Sequence, residues 1–186
     1  MSTGKHLPRI VLAVAALASI ATSQVLNEWF LDQRATVDPL ALDDVDPLGT
    51  LAIQGVLRSQ QSLLVLDGSM NVRLELRARD VTGVRAAEVV AVLTSDARSF
   101  DTHREVVSIP PGGIATVNLF LPAWRDCASE LCTENYTVTL RRTALADDPI
   151  IDVTGTASIE VHGDDGEVPP PGTLLELDVT DIGPVP

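Results

Sequence analysis

Between residues 71 and 79 the chain reads Asn-Val-Arg-Leu-Glu-Leu-Arg-Ala-Arg, with every even position apolar and every odd position polar or charged. A period of two fits only an extended backbone, whose side chains point to opposite faces in turn; a helix would need apolar residues every three or four positions. The same rhythm governs residues 50–57, with Leu51, Ile53 and Leu57 on one side, and residues 114–121, where Val117, Leu119 and Leu121 oppose Thr116 and Asn118. It returns at residues 136–140 and 157–161, while residues 88–93 are apolar on both faces and 105–109 stop at Pro110-Pro111-Gly112-Gly113, a strong turn. Residues 62–66 are a short apolar run that ends at the turn signal Asp67-Gly68. Eight short strands with turn chemistry between them predict an all-β, antiparallel sandwich over residues 49–162, since a parallel sheet would need crossover helices.

The late strand Tyr136-Thr137-Val138-Thr139-Leu140 resembles the strand that carries the corner tyrosine in immunoglobulin-like and fibronectin-type sandwiches. That resemblance implies an immunoglobulin-like β-sandwich of about seven to nine strands. It lacks a facing cysteine pair and an early central Trp, because Trp124 falls in a loop. The fold likeness carries no function with it.

The flanks differ from this block. Lys5 and Arg9, the apolar stretch 10–21 and the small residues Ala21-Thr22-Ser23 follow the order of an export signal over residues 1–23. The apolar stretch falls short of the roughly 20 residues a membrane-crossing helix needs. Residues 24–48, with Asp38-Pro39, Asp43-Asp44 and Asp46-Pro47, read as an acidic, largely extended N-terminal segment. Residues 163–186 open on Gly163-Asp164-Asp165-Gly166-Glu167 and a proline run, and read as a stiff tail. Leu175, Leu177 and Val179 alternate within it and offer one added strand, either on this sandwich or on a partner's edge.

Charge removes several functions. With 26 acidic against 13 basic residues the formal charge is −13, the wrong sign for neutralising phosphates, so no nucleic-acid partner is expected. Cleavage of residues 1–23 would remove Lys5 and Arg9 and leave −15. No phosphate-cradling loop, zinc spacing or nucleophile elbow is present, and Ser99, Asp101 and His103 are too close in sequence to be read as a triad. No cofactor or metal is expected: the acidic groups at 43–46 and 164–167 match no calcium loop. Asn135-Tyr136-Thr137 is a glycosylation sequon.

Three features remain. Cys127 and Cys132 enclose four residues and, in an exported chain, pair as a disulfide. Trp124 beside Arg125 is the candidate exposed anchor for a ligand, as Trp and Arg dominate such sites. Arg73, Arg77 and Arg79 share one polar strand face, suited to planar contacts with carboxylates. Together these predict a non-enzymatic exported β-sandwich, secreted or periplasmic, serving as a binding, adhesion or surface-structural module. Its expected partner is a protein or polysaccharide at the cell surface, with no stable membrane span after signal cleavage. One alternative is a pilin-like filament subunit or anchored domain using residues 10–33 as a retained helix. Another is a carbohydrate-binding module or hydrolase accessory domain.

Overall fold

The computed structural model describes residues 28–43, 46–63, 65–79, 86–97, 101–124, 128–143, 149–163 and 168–181. The expected export signal at 1–23 therefore lies outside the described residues, as do Arg125 and Cys127. Every regular element among the described residues is a strand: β1 (Trp29–Leu42), β2 (Leu48–Arg58), β3 (Val65–Ala78), β4 (Ala87–Ser95), β5 (Thr102–Ile109), β6 (Ile114–Pro122), β7 (Leu131–Arg142), β8 (Ile151–Gly163) and β9 (Leu174–Asp181). No helix of the described residues is long and apolar enough to cross a membrane.

The strands form two antiparallel sheets, one of four in the order β1-β8-β3-β6 and one of five in the order β5-β4-β7-β2-β9. The predicted all-β sandwich is thus the fold. Its pairing has a simple rule: β1 pairs with β8, β2 with β7, β3 with β6 and β4 with β5, as in one long hairpin wound round on itself. That is jelly-roll connectivity. The immunoglobulin likeness stops at the sandwich, because in that fold the first strand lies beside the second. Here consecutive strands alternate between sheets everywhere except β4–β5.

Alternation dictates the core. On β3, Met70, Val72, Leu74, Leu76 and Ala78 are buried, and so are Ala87, Val89, Ala91 and Leu93 on β4 of the other sheet. Burying side chains of this size is worth about 1.5–3 kcal/mol for each of the larger ones. Polar side chains at the intervening positions keep the outer faces wet.

Four local features depart from the sequence reading. Asp67-Gly68 does not turn the chain; it is a bulge inside β3, with the register shift against β8 falling between Val65 and Asp67. A Cβ on Gly68 would come within 2.6 Å of the Glu160 carbonyl oxygen, so glycine lets the two backbones approach. The segment at 24–48 contributes β1, which is a strand of the sandwich and not a flanking extension. Its alternation is broken by a register shift between Val37 and Leu40, next to Pro39, a residue that edge strands tolerate at bulges. Since residues 29–33 lie in β1, a retained helix cannot run through 33.

The C-terminal tail is likewise a turn and a strand. Pro170-Pro171-Gly172-Thr173 closes with the Thr173 N–H donating to the Pro170 carbonyl at 3.1 Å, and Gly172 takes a φ of +76°. Pro110-Pro111-Gly112-Gly113 is the same turn, with Gly113 N–H to Pro110 O at 2.8 Å and φ +65° at Gly112. Proline followed by a left-handed glycine is the signature of a type II turn. The second copy delivers β9 to the edge of β2, where Leu175 is buried and β9 comes to lie beside β1.

Candidate functional site

The outer face of the four-stranded sheet is a regular grid. Antiparallel register places Ser158, Asn71 and Phe120 side by side on β8, β3 and β6, and Thr156, Arg73 and Asn118 side by side in the next row. These six side chains, over the backbone of Val72 and Leu119, line a shallow depression of about 120 Å³. Strand spacing and rise make the grid about 10 Å across three strands and about 7 Å between rows.

Phe120 is 48% exposed. Its position follows from the alternation: Leu119 and Leu121 point inward, so residue 120 must point out. Among the described aromatic residues only Phe30 is also exposed, and its ring meets His162 edge-on at 5.1 Å. Phe120 has no such ring contact among the described residues. Its backbone is held from below by the other sheet, since the Phe120 N–H donates to Nδ1 of His103 at 2.9 Å and the Asn118 N–H to Oε2 of Glu105 at 3.0 Å. His103 and Glu105 lie on β5, the edge of the five-stranded sheet, so two of its side chains close the seam along β6.

Arg73 and Arg77 are exposed and form no ion pair among the described residues. Arg79 differs from them. Its Nε and Nη2 reach both carboxylate oxygens of Asp152, at 2.9 Å and 2.7 Å, in a bidentate pair. The Arg79 hydrogen bonds hold the Asp152 carboxyl below the usual carboxylate range, against a smaller opposing effect of burial. Of the predicted arginine row, then, Arg73 borders the depression, Arg77 faces solvent two rows further along β3, and Arg79 is tied across to β8.

Trp124 is not an exposed anchor. It is 1% exposed, and its backbone takes a left-handed φ of 47°. The ring lies over Gly55, whose added Cβ would come within 3.0 Å of Trp124 Cζ2. Beneath it, the Trp124 backbone N–H donates to Oε1 of buried Glu134 at 2.9 Å, and the Tyr136 hydroxyl donates to Oε2 of the same carboxylate. The tyrosine hydroxyl thus bonds a carboxylate two residues back on its own strand face. Trp29 is buried in the same manner over Gly163.

Cys132 lies half-buried on β7, packed against the core, and no free cysteine thiol occurs among the described residues. No group of three His, Cys, Asp or Glu side chains that could hold a metal occurs among the described residues. Asn135 of the sequon is exposed on β7, its Oδ1 accepting from Gln54 Nε2 at 3.0 Å. That pair, with Asp96 and Asp178, borders a depression of about 420 Å³ on the five-stranded sheet. A third, of about 750 Å³, is bordered by Glu88 and Arg141. Neither of these two presents an exposed aromatic ring.

No family model matches the chain, and no curated protein matches it. Among solved structures it is similar to a chain of an empty virus-like particle of Cowpea Mosaic Virus, at 11% identity over 77% of this chain and 88% of that one, with a TM-score of 0.30. A chain of Broad Bean Stain Virus is 10% identical over 83% of this chain and 91% of that one, again at 0.30. A non-toxic crystal protein from Bacillus thuringiensis is 10% identical over 94% and 96%, at 0.17. TM-scores this low carry no weight, and the fold rests on the strand order itself.

Proposed function

We propose that the chain is a non-enzymatic binding module, exported to the periplasm or the cell exterior and cross-linked by Cys127–Cys132, that engages a cell-surface partner through the outer face of its four-stranded sheet. The observation that carries this reading is the pairing of an exposed ring, Phe120, with an arginine that has no carboxylate partner among the described residues, Arg73, on a rigid sheet. Aromatic and arginine side chains dominate binding surfaces, and sites built on strands hold their geometry better than sites on loops. Export is supported by the order of charge, apolar stretch and small residues at 1–23. The sequence carries no nucleophile elbow, zinc-binding helix motif or phosphate-cradling loop, which supports a non-catalytic role.

Retention on a cell-envelope fraction tests the reading. The full chain is expected to sediment with that fraction, and the F120A/R73Q double variant to remain in the supernatant while keeping the parent melting curve. Equal retention of both would overturn it. Intact mass of the exported protein is expected to show loss of residues 1–23 and of two hydrogens at the cysteines.

A further inference from the structure

We infer that the Phe120–Arg73 grid is a saccharide site, and that its ligand is a hexose unit bearing a carboxylate within a sparsely charged glycan; this rests on the binding reading above and names its ligand. The dimensions fit first. A grid of about 10 by 7 Å takes one sugar ring and part of a neighbour. The chemistry fits next: the half-exposed Phe120 ring offers a flat apolar surface for the C–H face of a hexose, and everything around it is a hydroxyl, an amide or a guanidinium.

Asn71 is oriented for this. Its Nδ2 donates to Ser69 Oγ at 3.0 Å, which fixes the amide and leaves Oδ1 without a protein donor among the described residues. Arg73 supplies the charge selection. Its guanidinium carries no ion pair among the described residues, and a carboxylate can accept two parallel hydrogen bonds from that fork. Complementarity is therefore local, a cation with no ion pair among the described residues beside the exposed ring, on a chain of charge −13. The same net charge repels a dense polyanion, which limits the ligand to widely spaced carboxylates. A protein partner fits less well, because a stable interface buries about 800 Å² per side around a well-packed centre. The grid instead surrounds one ring with polar groups.

Titration of the full chain with a glucuronate-ended trisaccharide, followed by amide chemical shifts, tests the inference. Binding is expected to move the signals of Asn71, Arg73, Asn118 and Phe120. Replacing glucuronate by glucose, or Arg73 by Gln, is expected to weaken binding about tenfold, the loss of one charge-assisted pair. F120A is expected to abolish it, and R58Q, on β2 of the other sheet where Arg58 pairs with Glu176, to leave it unchanged. Equal binding of the acidic and neutral saccharides, no effect of R73Q, or no binding at all would overturn the inference. So would tighter binding of an acidic peptide at the same signals. If the saccharide fails while the envelope fraction still retains the parent and releases F120A/R73Q, the ligand is wrong and the binding surface stands. If the envelope fraction retains both proteins, the proposed function fails as well.

Discussion

The backbone N–H of Phe120 donates to Nδ1 of His103 across the seam between the two sheets, at 2.9 Å. Two residues along each strand the Asn118 N–H meets Glu105 in the same way, at 3.0 Å. β6 is an edge strand, and these side chains replace the neighbour it lacks. An edge satisfied in this way is a poorer template for pairing with another chain.

Replacing His103 and Glu105 with Ala is expected to cost about 1 kcal/mol each, since both N–H groups can turn to water. The distinguishing readout is hydrogen exchange, which should quicken at the Phe120 and Asn118 amides and stay unchanged at β8. Because Phe120 also belongs to the proposed site, H103A should weaken ligand binding without touching the ligand.

Glycine at 163 is required by Trp29. An added Cβ would overlap the indole, so G163A is expected to destabilise by about 1–3 kcal/mol and to shift the tryptophan emission to longer wavelength as the ring is displaced. G55A meets Ile159 Cδ1 at 2.8 Å and Trp124 Cζ2 at 3.0 Å and should behave similarly with a smaller loss.

Glu134 joins Tyr136 to Trp124 inside the sandwich. E134A and Y136F are each expected to cost about 2 kcal/mol in denaturant unfolding, through buried groups left unpaired. They share one hydrogen bond, so the double variant should cost at least about 1 kcal/mol less than the sum.

Asp152 is held below the usual carboxylate range by Arg79, so the pair's stabilisation is present above the unfolded-chain value of about 3.9 and is lost as pH falls through the lower folded value. D152N should therefore lower the melting temperature at neutral pH and have no effect in strong acid. The pair is solvent-exposed, so added salt should shrink the difference.

Much of this architecture is legible in the residues. The alternation at 71–79 and 114–121 fixes which side chains face the core, and the turn at Pro110-Pro111-Gly112-Gly113 follows from φ preferences, whereas the same motif at 170–173 reads as a stiff tail because it sits in a proline run. β1 is hidden because the irregularity beside Pro39 interrupts its rhythm, leaving only Trp29, Val37 and Leu42 fully buried along its length. Asp67-Gly68 reads as a turn because bulges and turns use the same residues, and only the pairing with β8 separates the two. For the site, Arg73 was visible and Phe120 was derivable from its neighbours. Their adjacency depends on the β3–β6 register, a non-local pairing that no local pattern encodes. Trp124 misleads for a related reason: a Trp after a strand looks exposed until Gly55, far away in sequence, makes room for its ring.

The pairing of β1 with β8 sets the order in which the molecule can be made. A chain delivered amino end first presents Trp29–Leu42 more than a hundred residues before Ile151–Gly163 exists to receive it. Until then the first strand has no hydrogen-bonding neighbour, and most of the four-stranded sheet must wait with it. Closure of such distant ends is slow and comes late. A polypeptide wound in this way stays threadable for nearly its whole length, and locks only when its last quarter arrives.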